Sequence, residues 1–231
     1  MKILLIAGHG DGDCGAVGNG CKEADLTREI ATLVRAELQN YAEVDIADTK
    51  KNWYQYVCKK GGSLNVKGYD YALEFHLNAI AAEAQSNGKT KGTEIYVTTA
   101  EKGTKVEQCI VNAISALGFK NRGVKRYNWA LINYIKKQGV SSALLEVFFI
   151  DDIDDMKIYQ NRKSEVIKAI AGGIISGFSL ERKADELTDA CRVLAAKGII
   201  NSPDYWAKGE GYSDSNTVML IKKFAAYVRG A

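Results

Sequence analysis

Short, largely apolar runs alternate with segments of helical period along most of this chain, and that alternation leaves few folds open. Ile3–Ala7, Val44–Ala47, Tyr69–Phe75, Thr93–Thr98 and Ala143–Phe149 each have the length and residue types of a strand. Between them, Lys22–Gln39 places Ile30, Leu33, Val34 and Leu38 on one helical face. Val106–Leu117 does the same through Val106, Ile110, Ala113 and Leu117, with Gly118 as its stop. Tyr127–Lys137 and Asp155–Phe178 are further helices. Strands that alternate with helices predict an α/β fold, a mostly parallel sheet flanked by helices.

The pattern changes after Phe178. Only helical segments follow: Ala184–Lys197 with Leu187, Cys191 and Leu194 inward, a short turn opened by Ser202-Pro203, and Asp214–Val228 with Val218, Ile221, Phe224, Ala225 and Val228 inward. The expected organisation is a main domain over 1–178 and a small all-helical module over 179–231.

Several function classes are disfavoured. No apolar run approaches the roughly 20 residues of a membrane helix, so no membrane partner is expected. Lys and Arg total 31 against 28 Asp and Glu, a net charge of +3 spread along the chain, and no nucleic acid is expected. The start, MKILLIAGHG, carries an apolar run too short for a secretory signal, which predicts synthesis in a cytoplasm without a signal of its own. The cysteines Cys14, Cys21, Cys58, Cys109 and Cys191 form no CxxC pair.

The two histidines, His9 and His76, both stand at the ends of apolar runs. In open α/β sheets the carboxyl ends of strands are where sites form. Glu23 opens the first helix after a glycine-rich loop, GDGDCGAVGNGC, that can fold back on His9. Spacing alone gives Glu23 two readings, a partner of His9 or a carboxylate favoured by the helix dipole. Asp11, Asp13 and Asp25 compete with it, and Cys14 and Cys21 offer a rival His-Cys-Cys set. Glu146 lies within the most apolar run, ALLEVFFI, where a carboxylate is costly without a task or partner. Its bland alternative is a solvent-facing position on an edge strand, and Glu74 in ALEFH shares both readings. Two histidines and one carboxylate make a three-ligand zinc site with a position open to water, and a further glutamate serves as general base.

These residues fall into spaced motifs. GHGDGDCGAVGNG is followed by Glu23-Ala-Asp25-Leu26, then by Glu74-Phe75-His76-Leu77-Asn78-Ala79, Gly92-Thr93-Glu94-Ile95-Tyr96, Asn121–Val124 and Glu146-Val147-Phe148-Phe149-Ile150-Asp151-Asp152. In that order they resemble the zinc-dependent N-acetylmuramoyl-L-alanine amidases of bacterial autolysins and phage endolysins, over about residues 1–178.

The resemblance implies that His9, Glu23 and His76 hold Zn2+ and that Glu146 is the catalytic carboxylate. It implies bacterial peptidoglycan as substrate, cut between muramic acid and the L-alanine of the stem peptide, by an endolysin that acts at the wall after release. Glu74 stands where the family usually has serine, Phe148 where it has glycine, and Asp151-Asp152 where it has Ser-Asn, so a reshaped groove is expected. The segment KGIINSPDYW resembles a short module of some phage lysins, which implies wall binding or self-association into a homo-oligomer. A wall-binding protein without activity, and a zinc peptidase or deacetylase on the same fold, are the rival readings.

Overall fold

The structure is a computed structural model that describes residues 1–80, 86–183, 186–200, 202–207 and 215–230. The chain divides into two units, Met1–Glu181 and Arg182–Ala231.

The first unit is built on a sheet of β1 (Lys2–Ala7), β4 (Glu43–Ile46), β5 (Tyr71–Asn78), β6 (Thr93–Val97), β7 (Asn121–Arg126) and β8 (Ser141–Phe149), in the order β4-β1-β5-β8-β6-β7. β1 runs parallel to β4 and β5, β5 parallel to β8, and β6 parallel to β7, while β6 is antiparallel to β8. A small hairpin, β2 (Val17–Gly18) and β3 (Cys21–Lys22), stands apart. Around the sheet lie α1 (Glu23–Leu38), a π-helical turn (Tyr54–Lys59), α2 (Lys105–Ser115), α3 (Ala130–Lys137) and α4 (Ile153–Phe178).

Side-chain alternation sends Leu5, Phe75 and Leu145 to one face, where they pack with Ile30 and Val34 of α1, Ile110 of α2 and Ile170 and Ile174 of α4. Leu33, expected on that inner face of α1, is 37% exposed, because the buried stripe runs through Ile30, Val34 and Leu38. The opposite face carries Leu4, Ile6 and Ala72 under Val57 of the π-helical turn and Leu131 and Ile135 of α3. This second cover is short. Beyond Ala72 and Ser142, Glu74, His76 and Glu146 line an open groove.

Three local readings need correction. β5 runs on to Asn78, so His76 lies inside the strand. Asn121–Arg126 is a strand, and Tyr127–Trp129 is not helical: the Tyr127 N–H donates to the Val97 carbonyl at 2.9 Å, which delays α3 to Ala130. Phe148 does not reach the groove. The register shifts between His76 and Asn78, so Phe148 turns to the helical side, fully buried, and stacks on Tyr159 with ring centroids 4.7 Å apart. Asp151 and Asp152 are buried too; Asp152 caps α4 by accepting from the Asp155 N–H at 2.8 Å.

Asp155 ties α4 to the sheet. Its Oδ2 accepts from the N–H groups of Gly92 and Phe149, both at 2.9 Å, and the residue is fully buried. Asp155→Ala leaves two buried amides without that acceptor and should cost on the order of 3 kcal/mol in chemical denaturation, whereas Asp155→Asn keeps a carbonyl oxygen and should cost about 1 kcal/mol. Equal losses in the two variants would show that charge, and not the acceptor, matters here.

The second unit holds α5 (Glu186–Ala196), α6 (Pro203–Ala207) and α7 (Ser215–Val228), and a small core of Ala190, Leu194 and Ala225 joins α5 to α7. The expected helix starts at Ala184 and Asp214 lie outside the described residues. Leu187 is half-buried and Phe224 is 44% exposed, so the inward face of α7 runs through Ile221, Ala225 and Val228. No helix among the described residues is long and apolar enough to cross a membrane.

Candidate functional site

The backbone after β1 is shaped to bring two histidines together. His9 has φ +61°, a left-handed conformation that costs a non-glycine residue energy and persists only when its surroundings hold it. Arg28 does so, donating to the carbonyls of Gly8 at 3.1 Å, His9 at 2.9 Å and Ala24 at 2.7 Å. Gly8 must lack a side chain: a Cβ there would stand 2.5 Å from Cε1 of His76. The loop then returns through an Asn19-Gly20 turn, with φ +50° and +76°, which closes the β2–β3 hairpin. The Glu23 N–H donates to the Ala16 carbonyl at 2.9 Å, and Glu23 enters α1 with its side chain buried beside both rings.

Glu23 Oε1 lies 3.1 Å from Nε2 of His9 and 3.0 Å from Nδ1 of His76. The donor atoms of His9, Glu23 and His76 all fall within 4.8 Å of one another, a group that could hold a metal ion. The two rings meet edge to face with centroids 4.8 Å apart. The carboxylate of Glu23 is oriented by the N–H groups of Leu77, donating to Oε1 at 2.9 Å, and Ala16, donating to Oε2 at 2.8 Å. The outer ring nitrogens have carboxylates of their own. Nδ1 of His9 is 2.9 Å from Oδ2 of Asp13, which also accepts from Asn52 at 3.0 Å, and Nε2 of His76 is 3.0 Å from Oε1 of Glu74.

The competitors at the first helix separate clearly. Asp11 and Asp25 are exposed, and Asp13 meets His9 on the nitrogen turned away from Glu23. Cys14 is exposed and Cys21 half-buried, and neither belongs to the converging group.

Glu146 comes from a central strand, β8, so the edge-strand reading fails. Strand pairing sets it in a row: His76 pairs with Glu146 across β5 and β8, and Glu146 pairs with Glu94 across β8 and β6. Glu146 Oε2 is buried and meets no donor among the described residues. Burial, aided by the charges of Glu23, Glu94 and Glu74 and opposed by His76, pushes its carboxyl up to about 7. Burial also works against charge on Glu23, but the two histidines and the Leu77 N–H hold its carboxyl well below the usual range. Burial likewise opposes charge on His9 and His76, yet Glu23 with Asp13 raises His9, and Glu23 with Glu74 raises His76 well above the ordinary histidine value.

Glu94 and its partners were not singled out as site residues by sequence reasoning. It is buried, bridged by Arg122 at 2.5 Å and by Lys125, and it accepts from Asn78 and the Tyr96 hydroxyl, each at 2.9 Å. The groove itself, about 390 Å³, is lined on its apolar part by Tyr54, Trp129, Leu131 and Leu144. That volume is in the range of small-molecule sites.

Comparison with known proteins adds the following. A family described as N-acetylmuramoyl-L-alanine amidase matches residues 3–176. The chain is 26% identical over 227 residues to the sporulation-specific N-acetylmuramoyl-L-alanine amidase of Bacillus subtilis (strain 168), covering 95% of this chain and 85% of that protein. It is 27% identical over 192 residues to the endolysin of Bacillus phage SPP1, covering 79% of this chain and 68% of that one. Among solved structures it is similar to the catalytic domain of the CD27L endolysin targeting Clostridia Difficile, with TM-score 0.61 and 27% identity over 76% of this chain and 97% of that chain.

Proposed function

The chain belongs to the N-acetylmuramoyl-L-alanine amidase family and is a peptidoglycan hydrolase of that class, and we propose that it works through one zinc ion held by His9, Glu23 and His76, with Glu146 as the proton carrier. The observation that carries this reading is the convergence of two imidazole nitrogens on one buried carboxylate oxygen, beside Glu146, whose buried Oε2 meets no donor among the described residues. Two histidines and a glutamate are a zinc donor set that leaves a position for substrate. The fit extends outward, since each ring has a carboxylate on its far nitrogen.

When bound, zinc supplies Lewis acidity, making water acidic near neutral pH and drawing off the charge that grows on the scissile carbonyl oxygen. Glu146 accepts the proton that water loses as it attacks the lactyl carbonyl. It then delivers that proton to the L-alanine nitrogen as the carbon–nitrogen bond breaks. A carboxyl near 7 suits both halves of the task, because a proton carrier works best near the working pH. Tyr54, Trp129, Leu131 and Leu144 give the groove apolar surface beside these groups.

Digestion of purified walls tests the activity. Mass spectrometry should find free stem peptides that begin at L-alanine and glycan strands that keep their lactyl groups. Cuts inside the stem peptide, or released acetate, would instead make the enzyme a peptidase or a deacetylase. We read the second unit, Arg182–Ala231, as a wall-binding or self-association module, with the exposed Tyr205 as a contact residue, and the whole as an endolysin or autolysin acting on the wall.

Proton competition gives a pH prediction. Both rings must be neutral to ligate, and both hold protons above the ordinary histidine value in the metal-free protein. Zinc affinity should therefore climb as pH rises from about 6 to 8, and calorimetry in buffers of different ionisation heat should record protons released on binding. An affinity flat across that window would speak against histidine ligation.

A further inference from the structure

Glu74 is a buried carboxylate that the proposed reaction does not use. It stands two residues before His76 on β5, so alternation puts both on the groove face, one step apart along the strand. The His76 ring lies between two carboxylates that meet different nitrogens: Glu23 at Nδ1 and Glu74 at Nε2, each at 3.0 Å.

A neutral imidazole has one N–H, so it donates to only one of them. Nδ1 faces Glu23 Oε1, the same oxygen that Nε2 of His9 approaches, so it is the nitrogen turned toward the other two members of the converging group. The proton of the ligating ring therefore belongs on Nε2, facing Glu74. Glu74 is 3% exposed, and its other oxygen, Oε2, is buried without a donor among the described residues. Its neighbour across the strand pair is Leu144, which offers no hydrogen bond. A buried carboxylate with one hydrogen-bond partner is expensive, and His76 is that partner.

We propose, resting on the metal reading above, that Glu74 is a positioning residue: it accepts the Nε2 proton of His76, fixes that tautomer and aims Nδ1 at the metal. The inference concerns a residue that differs from the family's usual serine at this position. A serine hydroxyl is shorter and neutral. A carboxylate at this place gives the ring a charged acceptor, which makes its nitrogen a stronger donor to a cation.

The test uses the full chain. Zinc affinity is measured by competition with a chromophoric chelator for wild type, Glu74→Ala and Glu74→Gln. Long-range nitrogen–proton spectra of the zinc-loaded proteins report which His76 nitrogen carries the proton. The expectation is His76 protonated on Nε2 in wild type, a zinc affinity about 10–100-fold weaker in Glu74→Ala, and partial recovery in Glu74→Gln, whose amide oxygen still accepts. Wild type protonated on Nδ1, or Glu74→Ala binding zinc as tightly as wild type, overturns the proposal. If Glu74→Ala does not fold, wild type and Glu74→Gln decide it by the tautomer alone. Wild type that binds no zinc overturns the metal reading and this inference together; tight wild-type binding with an indifferent Glu74 overturns only the inference.

Discussion

A His76→Ala protein is expected to hold no stoichiometric zinc and to release no stem peptide from walls. The substitution removes one of three converging donors and leaves Glu23 and His9 as an incomplete set. Catalytic zinc sites keep three protein ligands because the fourth position must stay open to substrate. With the ion gone, nothing takes up the charge growing on the carbonyl oxygen, and turnover should fall to background. Metal analysis of the purified protein checks the first half and wall digestion the second. One zinc per chain in the variant would place the metal elsewhere. His9→Ala and Glu23→Ala should behave alike, while Asp25→Ala, altering an exposed side chain, should bind zinc normally.

Glu146→Gln should divide binding from chemistry. Glutamine preserves volume and cannot carry the proton. Zinc and fold should be retained, because Glu146 is outside the converging group and β8 is held on both sides by β5 and β6. Turnover should drop by roughly 10²–10⁴, the usual worth of a general acid–base group. The comparison is single-turnover cleavage of a soluble muropeptide by the zinc-loaded variants. Near-normal rates would transfer the proton-carrying role to another carboxylate, with Glu74, which also lines the groove, the first to test.

Much of this site was legible in the sequence because strands buried on both faces are apolar on consecutive positions, so a charge inside one stands out. That is how Glu146 and Glu74 drew notice. β7 was harder: NRGVKR is a polar strand on the sheet edge, half-buried, with no alternation to reveal it. Glu94 stands in the Gly92–Tyr96 motif, but its place in the site was not legible for a related reason. Its cations, Arg122 and Lys125, come from that unrecognised strand, and only the fold joins them. Phe148 stands where the family usually has glycine and was expected to reshape the groove, but the register shift between His76 and Asn78, which the sequence does not announce, turns it to the helical side. The choice of Glu23 over its aspartate neighbours needed the family resemblance. The structure then gives the physical reason for its position, a hairpin that returns the chain so that the first helical residue lands between two rings.

The row of His76, Glu146 and Glu94 is spaced by backbone pairing, about 4.8 Å from strand to strand. This gives the site an unusual sensitivity profile. Replacing apolar neighbours with other apolar residues leaves the ladder in place, so the working groups keep their separation through extensive drift in sequence. Changing the number of residues does not. Deleting one position of β8 ahead of Glu146 inverts the parity of the strand, turning Glu146 into the helical core and presenting Leu145 to the substrate. In a randomised library the strands leading to this row should therefore tolerate many substitutions and almost no single-residue indels.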